Sequence, residues 1–145
     1  MTEEQKVSFR YALLCSGLEL MEDKKAVLIE RIKNVIVEMV HYADEFPKLK
    51  NSEYIASHLQ HDYTYLANLF SEATGITIEQ FIIQHKIARV KELIIYDELN
   101  LTEISYLLNY SSVAHLSTQF KKVTGLTPTF FKNLKVKRRQ MLENL

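Results

Sequence analysis

The sequence predicts an all-α chain: two helix-turn-helix subdomains joined by a long linker helix, with an N-terminal helical extension. Three observations carry that expectation. Glycine and proline number only three and two in 145 residues, too few for the many turns of a β-rich fold. Apolar residues recur at helical spacing along most of the chain, between polar residues suited to capping helix ends. One stretch of sixteen residues occurs twice, 50 positions apart.

The elements can be taken in order. Thr2-Glu3-Glu4-Gln5 fits a capping box, in which the threonine oxygen and the glutamine serve backbone N–H groups with no partner inside the helix. A helix from about Thr2 to Ser16 follows, with Gly17 as its left-handed end. Leu18 to Met21 reads as a short strand or extended piece. Asp23 then caps a second helix, with Leu28, Ile32, Val35, Ile36, Met39 and Val40 on one face. It must stop near Phe46, because Pro47 lacks a donor and clashes with the preceding turn.

Ser52 is expected to cap a helix to Leu59, Gln60 to Asp62 to turn, and a second short helix to reach Thr74. Thr77 to Gln80 forms another capping box and opens a linker helix to Tyr96, with Phe81, Ile87, Leu93 and Ile94 inward. Thr102 is expected to cap a helix to Leu108, with a turn at Asn109-Tyr110 and a helix from about Ser112 to Thr124. Thr127 caps the last helix, with Pro128 at its first position, where a missing N–H costs nothing. Domain bounds follow: an extension at 1–34, the main domain at 35–133 and a basic tail at 134–145. The first helix-turn-helix falls at about 52–75, the linker at 77–96 and the second at 102–125.

Aligning Leu66–Phe81 with Leu116–Phe131 gives identity at six of sixteen positions: Leu66/Leu116, Phe70/Phe120, Thr74/Thr124, Gly75/Gly125, Thr77/Thr127 and Phe81/Phe131. Chance gives about one, so a unit was duplicated. Ile55, Leu59, Leu66 and Phe70 supply a small core to the first copy; Ile104, Leu108, Leu116 and Phe120 supply the second. In such a unit the second helix can enter a major groove while the first braces it. A connector of 18–20 residues spans about 27–30 Å, close to the ~34 Å recurrence of major grooves on one duplex face.

The run from Phe120 through Lys121, Lys122, Thr124, Gly125, Thr127 and Pro128 to Phe131 resembles the signature that closes the second helix-turn-helix of the AraC/XylS family of bacterial transcription regulators. Leu66 to Phe81 resembles the matching stretch of the first unit. The likeness covers about residues 35–133. It implies seven helices, sequence-specific binding to double-stranded DNA and no cofactor in this domain. The chain departs from the family pattern in two places. Asn109-Tyr110 stands where members have Gly-Phe, and asparagine tolerates the left-handed geometry that turn needs. Thr118 stands where many members carry an arginine, the residue most often paired with guanine.

With Leu66 and Phe70 inward, Thr64, Tyr65, Ala67, Asn68 and Ser71 are left facing out of the first reading helix, and Asn68 could pair bidentately with adenine. On the second, Ser112, Val113, His115, Thr118, Gln119 and Lys122 are left outward. Val113 could touch a thymine methyl, and His115 and Gln119 a base or phosphate. Lys121, Lys122, Lys86, Arg89 and Lys132 are candidates for phosphate. Each of these polar residues could equally be ordinary solvated surface.

The net charge of zero hides an asymmetry: residues 1–83 hold 8 Lys/Arg against 13 Asp/Glu, a balance of −5, and residues 84–145 hold 10 against 5, a balance of +5. A basic face can therefore exist on a neutral molecule, or the charges can be solvated helix faces. No Ser-His-Asp pattern, glycine-rich phosphate loop or CxxC points to an enzyme. His58, His61 and Asp62 straddle a turn with no further ligands close in sequence, so no metal is expected. Cys15 stands alone, which rules out an internal disulfide and makes a reducing cytoplasm the expected compartment; no apolar run approaches the ~20 residues of a membrane span. Residues 2–22 resemble the last α–β piece of a small ferredoxin-like metal-carrier domain, or serve as an interaction arm. The partners expected are double-stranded DNA, RNA polymerase and a second copy through residues 1–46. The rival expectation is a helical protein-interaction module that has lost DNA reading, motivated by Thr118 and the acidic first half.

Overall fold

The computed structural model describes residues 2–43, 46–96 and 99–143, with residues 13–20 described in their backbone only. Among these the chain is helical, with no strand: α1 Glu3–Val37, a π turn Glu38–Tyr42, α2 Asn51–Leu59, α3 Tyr63–Thr74, α4 Ile78–Tyr96, α5 Leu101–Leu107, α6 Val113–Thr124 and α7 Pro128–Glu143.

The largest departure from expectation is at the N-terminus. The helix opened by the Thr2–Gln5 capping box does not stop at Gly17; it runs 35 residues into the π turn. Gly17 costs that helix about 1 kcal/mol relative to alanine, and the alanines, leucines, lysines and glutamates around it offset that cost. Asp23 is therefore interior and caps nothing, and Leu18–Met21 is neither strand nor extended chain. With the strand goes the resemblance to an α–β fragment of a metal-carrier domain. At its other end the helical run closes at Tyr42, four residues short of the expected Phe46.

Smaller corrections concern caps. Lys50, with no side-chain bond, precedes α2 where Ser52 was expected. Asn100, not Thr102, caps α5: its Oδ1 accepts from the Glu103 N–H at 2.8 Å while Glu103 accepts from the Asn100 N–H at 3.3 Å. The residues expected to form a C-terminal tail, 134–143, belong to α7.

The C-terminal third of α1, the π turn, α2, α3 and α4 enclose one half of the core through Ile32, Ile36, Met39, Ile55, Leu66, Phe70 and Ile82. Helices α5 and α6 bury Ile104, Leu108, Leu116 and Phe120 on the rest of α4, with Phe131 of α7 packed against them. Helix α4 is thus common to both halves, and the buried apolar residues form a single cluster. The Phe46 N–H donates to the Leu107 carbonyl at 3.2 Å, tying the segment before α2 to the end of α5.

Where the π turn meets α4, His41 Nε2 lies 3.0 Å from His85 Nδ1, with the Phe81 ring 4.5 Å from that of His85. Burial, and secondarily His41, holds His85 below the usual histidine range. A histidine whose folded pKa is depressed contributes stability above its unfolded value of about 6.5 and loses it as pH falls through the lower one. Acidification below about pH 6.5 is therefore expected to lower the melting temperature, and His85→Gln to flatten that part of the profile. Superimposable profiles for the two proteins would disprove the assignment.

Candidate nucleic-acid interface

The duplication seen in the sequence is repeated atom for atom in the turns that aim the two reading helices. Gly75 and Gly125, at φ +80° and +83°, end α3 and α6 in left-handed conformation. That is a conformation in which a side chain would be strained. The Thr74 hydroxyl donates to the Phe70 carbonyl at 2.7 Å, and its Thr124 counterpart to the Phe120 carbonyl at 2.8 Å. Each threonine oxygen also accepts an N–H two residues on, from Ile76 at 3.3 Å and Leu126 at 3.1 Å. Edge-to-face ring pairs then seat the following helix, Phe70 on Phe81 at 5.4 Å and Phe120 on Phe131 at 5.7 Å. The entry turns use Gln60 at φ 55° and Asn109 at φ 59°. Asparagine at that turn therefore keeps the left-handed geometry.

Helix α3 exposes Thr64, Tyr65 and Asn68 as expected. Ala67 and Ser71 are half-buried, Ala67 packed against the core, and Leu69, not foreseen as inward, is buried beside Leu66 and Phe70. Glu72 and Ala73 complete the exposed face. On α6, His115, Thr118, Lys121 and Lys122 are exposed, and so is Ala114, which sequence reasoning missed. The offset of 50 pairs Tyr65 with His115, Asn68 with Thr118 and Glu72 with Lys122, so the two faces present different chemistry from one scaffold.

Three of the expected contact residues on α6 have structural partners. Ser112 caps the helix, its Oγ accepting the His115 N–H at 3.0 Å. The imidazole Nδ1 of His115 lies 3.1 Å from the Ser111 hydroxyl. Half-buried Gln119 accepts the Tyr110 hydroxyl at 2.6 Å, and Val113 is half-buried as well. Burial pushes the Tyr110 phenol well above its ordinary range, so it donates across the whole useful pH range.

Of the phosphate candidates, Lys86 projects from α4 into the seam between the two halves. Its ammonium lies 4.2 Å from the Phe46 ring centre and 4.8 Å from that of Tyr110. Burial pushes its pKa down to about 8. An ammonium over two rings is held by cation–π attraction. Lys86 thus sits against the Tyr110 ring, whose hydroxyl donates in turn to Gln119 on α6, so contacts run from α4 through Tyr110 to the second reading helix. Arg89 pairs with Glu92 at 3.2 Å on the surface of α4, and Lys132 is exposed on α7. His58 and His61, weighed above as metal ligands, instead lie against tyrosine rings: His58 stacks on Tyr54 with centroids 4.1 Å apart, and His61 sits 5.8 Å from Tyr65.

Two short helical pairs on a shared backing helix, each with a polar exposed face on its second member, define the class of a double helix-turn-helix domain. A family model described as a helix-turn-helix domain matches residues 55–133. The chain is 27% identical over 99 residues to the Msm operon regulatory protein of Streptococcus mutans, covering 63% of this chain and 36% of that protein. Its fold matches an AraC-type DNA-binding domain transcriptional regulator from Chromobacterium violaceum at TM-score 0.61 and 17% identity, covering 73% of this chain and 93% of that one. It also matches the DNA-binding domain of AdpA, solved in complex with a target DNA, at TM-score 0.64 and 16% identity, covering 75% and 96%. The chain belongs to the AraC-type helix-turn-helix family. The matched stretch spans about a third or less of the length of the first curated relatives. These likenesses favour a DNA-binding regulator over an interaction module that has lost DNA reading. No helix among the described residues is long and apolar enough to cross a membrane.

Proposed function

We propose that this chain is a sequence-specific reader of double-stranded DNA that regulates transcription by placing α3 and α6 in successive major grooves. The observation that carries this reading is the duplicated turn geometry at Gly75 and Gly125, which presents two exposed helix faces from one 19-residue backing helix. That helix is about 28 Å long, near the ~34 Å between major grooves on one duplex face. Thr64, Tyr65 and Asn68 read the first groove, with Ala67 and Ser71 at its margin. His115, Thr118 and Val113 read the second. Ser112 and Gln119 hold α6 in position at its rim, and Lys121, Lys122, Arg89 and Lys132 take phosphates. RNA polymerase is the partner that regulation calls for. A second copy is supported by the exposed apolar residues Val7, Phe9, Tyr11, Met21 and Val27 along α1. The single cysteine fits the cytoplasm.

Selection from a randomised duplex library tests the reading, with two preferred blocks about ten base pairs apart as the expected result. Asn68→Ala should then relax preference at one or two positions, each a matter of about 1–3 kcal/mol. Lys122→Ala should weaken every sequence alike. A library that emerges with no preference, or equal effects of both changes on all sequences, would refute it.

A further inference from the structure

The first helix-turn-helix contains no cation. Between Asn51 and Gly75 there is no lysine or arginine, against three carboxylates at Glu53, Asp62 and Glu72. The second unit carries Lys121 and Lys122 on its reading helix. A helix seated in a major groove about 12 Å wide is flanked by phosphates on both sides, and phosphate neutralisation supplies most of the non-specific affinity. The first unit must take that charge from outside itself.

Lys48 and Lys50 stand just before α2, and helix α1 carries the cations that border the start of α3. Lys24, Lys25 and Arg31 line a cleft of about 550 Å³ together with His61 and Tyr65, at the N-terminal end of α3. One carboxylate, Asp23, shares that lining. All three cations are exposed. The ion pairs among the described residues are Lys33–Glu30 and Arg89–Glu92, so none of the three is committed to an acid there. Lys48 and Lys50 border a different cleft, with Lys86, Glu79 and Asn109, on the side toward α5. Tyr65 is thus both an exposed member of the first reading face and a wall of the basic cleft.

Resting on the DNA-reading function proposed above, we infer that Lys24, Lys25 and Arg31 of α1 form the phosphate-binding wall of the first helix-turn-helix. The N-terminal extension is then a working part of the DNA interface. With α3 in the groove, these side chains meet the backbone strand that runs past His61 and Tyr65. They bind any sequence equally, because phosphates carry no base information. The duplication thus copied the scaffold but not its charge: the second unit holds phosphates with its own helix, and the first borrows them from the helix that packs beside it.

The test uses the full chain with Lys24, Lys25 and Arg31 all changed to glutamine, and a variant with Lys6→Gln and Arg10→Gln some 27 Å farther out on the same helix. Binding to a random-sequence duplex is followed from about 50 to 200 mM salt, with helix content checked by circular dichroism. Each phosphate contact contributes about 0.9 to the slope of log affinity against log salt. The triple variant should lose up to about 3 units of slope and keep the wild-type base preference, while the outer variant stays near wild type. A wild-type slope in the triple variant overturns the inference and leaves DNA reading standing, as does an equal loss per charge in the outer variant. A wild-type chain that binds no duplex at ~50 mM salt overturns both.

Discussion

Truncating Phe120 to alanine is expected to lower the unfolding free energy by about 3–5 kcal/mol, the range for removing a fully buried phenylalanine. The ring is completely enclosed, packs edge-to-face on Phe131, and its own carbonyl anchors the Thr124 hydroxyl that sets the exit turn. Its loss leaves a cavity and loosens the angle at which α7 departs. Phe70→Ala should cost as much for the same reasons on the other half, where Phe81 and Thr74 play the equivalent parts. A small domain has only about 5–15 kcal/mol in total, so either change removes a large fraction. Because α4 contributes buried residues to both halves, both variants should still unfold in one transition. Urea titration followed by far-ultraviolet circular dichroism measures this. A loss below about 1 kcal/mol, or two separated transitions, would contradict the packing described.

The second large effect is on affinity. The exposed cations assigned to the duplex backbone are Lys24, Lys25 and Arg31 on α1, Lys121 and Lys122 on α6 and Lys132 on α7, with half-buried Arg89 on α4 as a seventh. A protein making about 6–10 phosphate contacts loses roughly 10³–10⁵ in affinity between 50 and 200 mM salt. A fall of that order is expected here even though the net charge is zero, because counterion release depends on the contacts made and not on the total. Fluorescence anisotropy with a labelled duplex across that range measures it. A flat response would mean that the duplex is not held by its phosphates.

Most of the architecture was legible because duplication writes the same physics twice. Thr2, Thr77 and Thr127 could be read as caps, and each threonine oxygen accepts the N–H three residues on. What could not be read was context. Gly17 sits in a sequence that looks like a helix end, yet nothing nearby offers the chain a turn worth more than continuing. Asn100 outcompetes Thr102 because its own Glu103 completes the box. Counting only Leu66 and Phe70 as inward left Ala67 and Ser71 nominally outward. At about 100° per residue both lie on the Phe70 side of the stripe with half-buried Tyr63 and Thr74, while Leu69 extends the buried stripe on the opposite side. The roles of Ser112 and Gln119 depended on partners at His115 and Tyr110 that periodicity alone does not reveal. The cations on α1 were visible as letters, but their neighbourhood with Tyr65 exists only in three dimensions.

The unbroken α1 also has a mechanical consequence. Thirty-five residues of continuous helix make a strut about 52 Å long, and its last turns are embedded in the first half of the core through Ile32 and Ile36. Such a strut transmits twist instead of absorbing it: adding one residue midway turns everything beyond it by about 100° and shifts it by about 1.5 Å, whereas seven nearly restore the phase. A load applied near Glu3 therefore reaches α3 as a rotation of a stiff lever, with no slack segment in between.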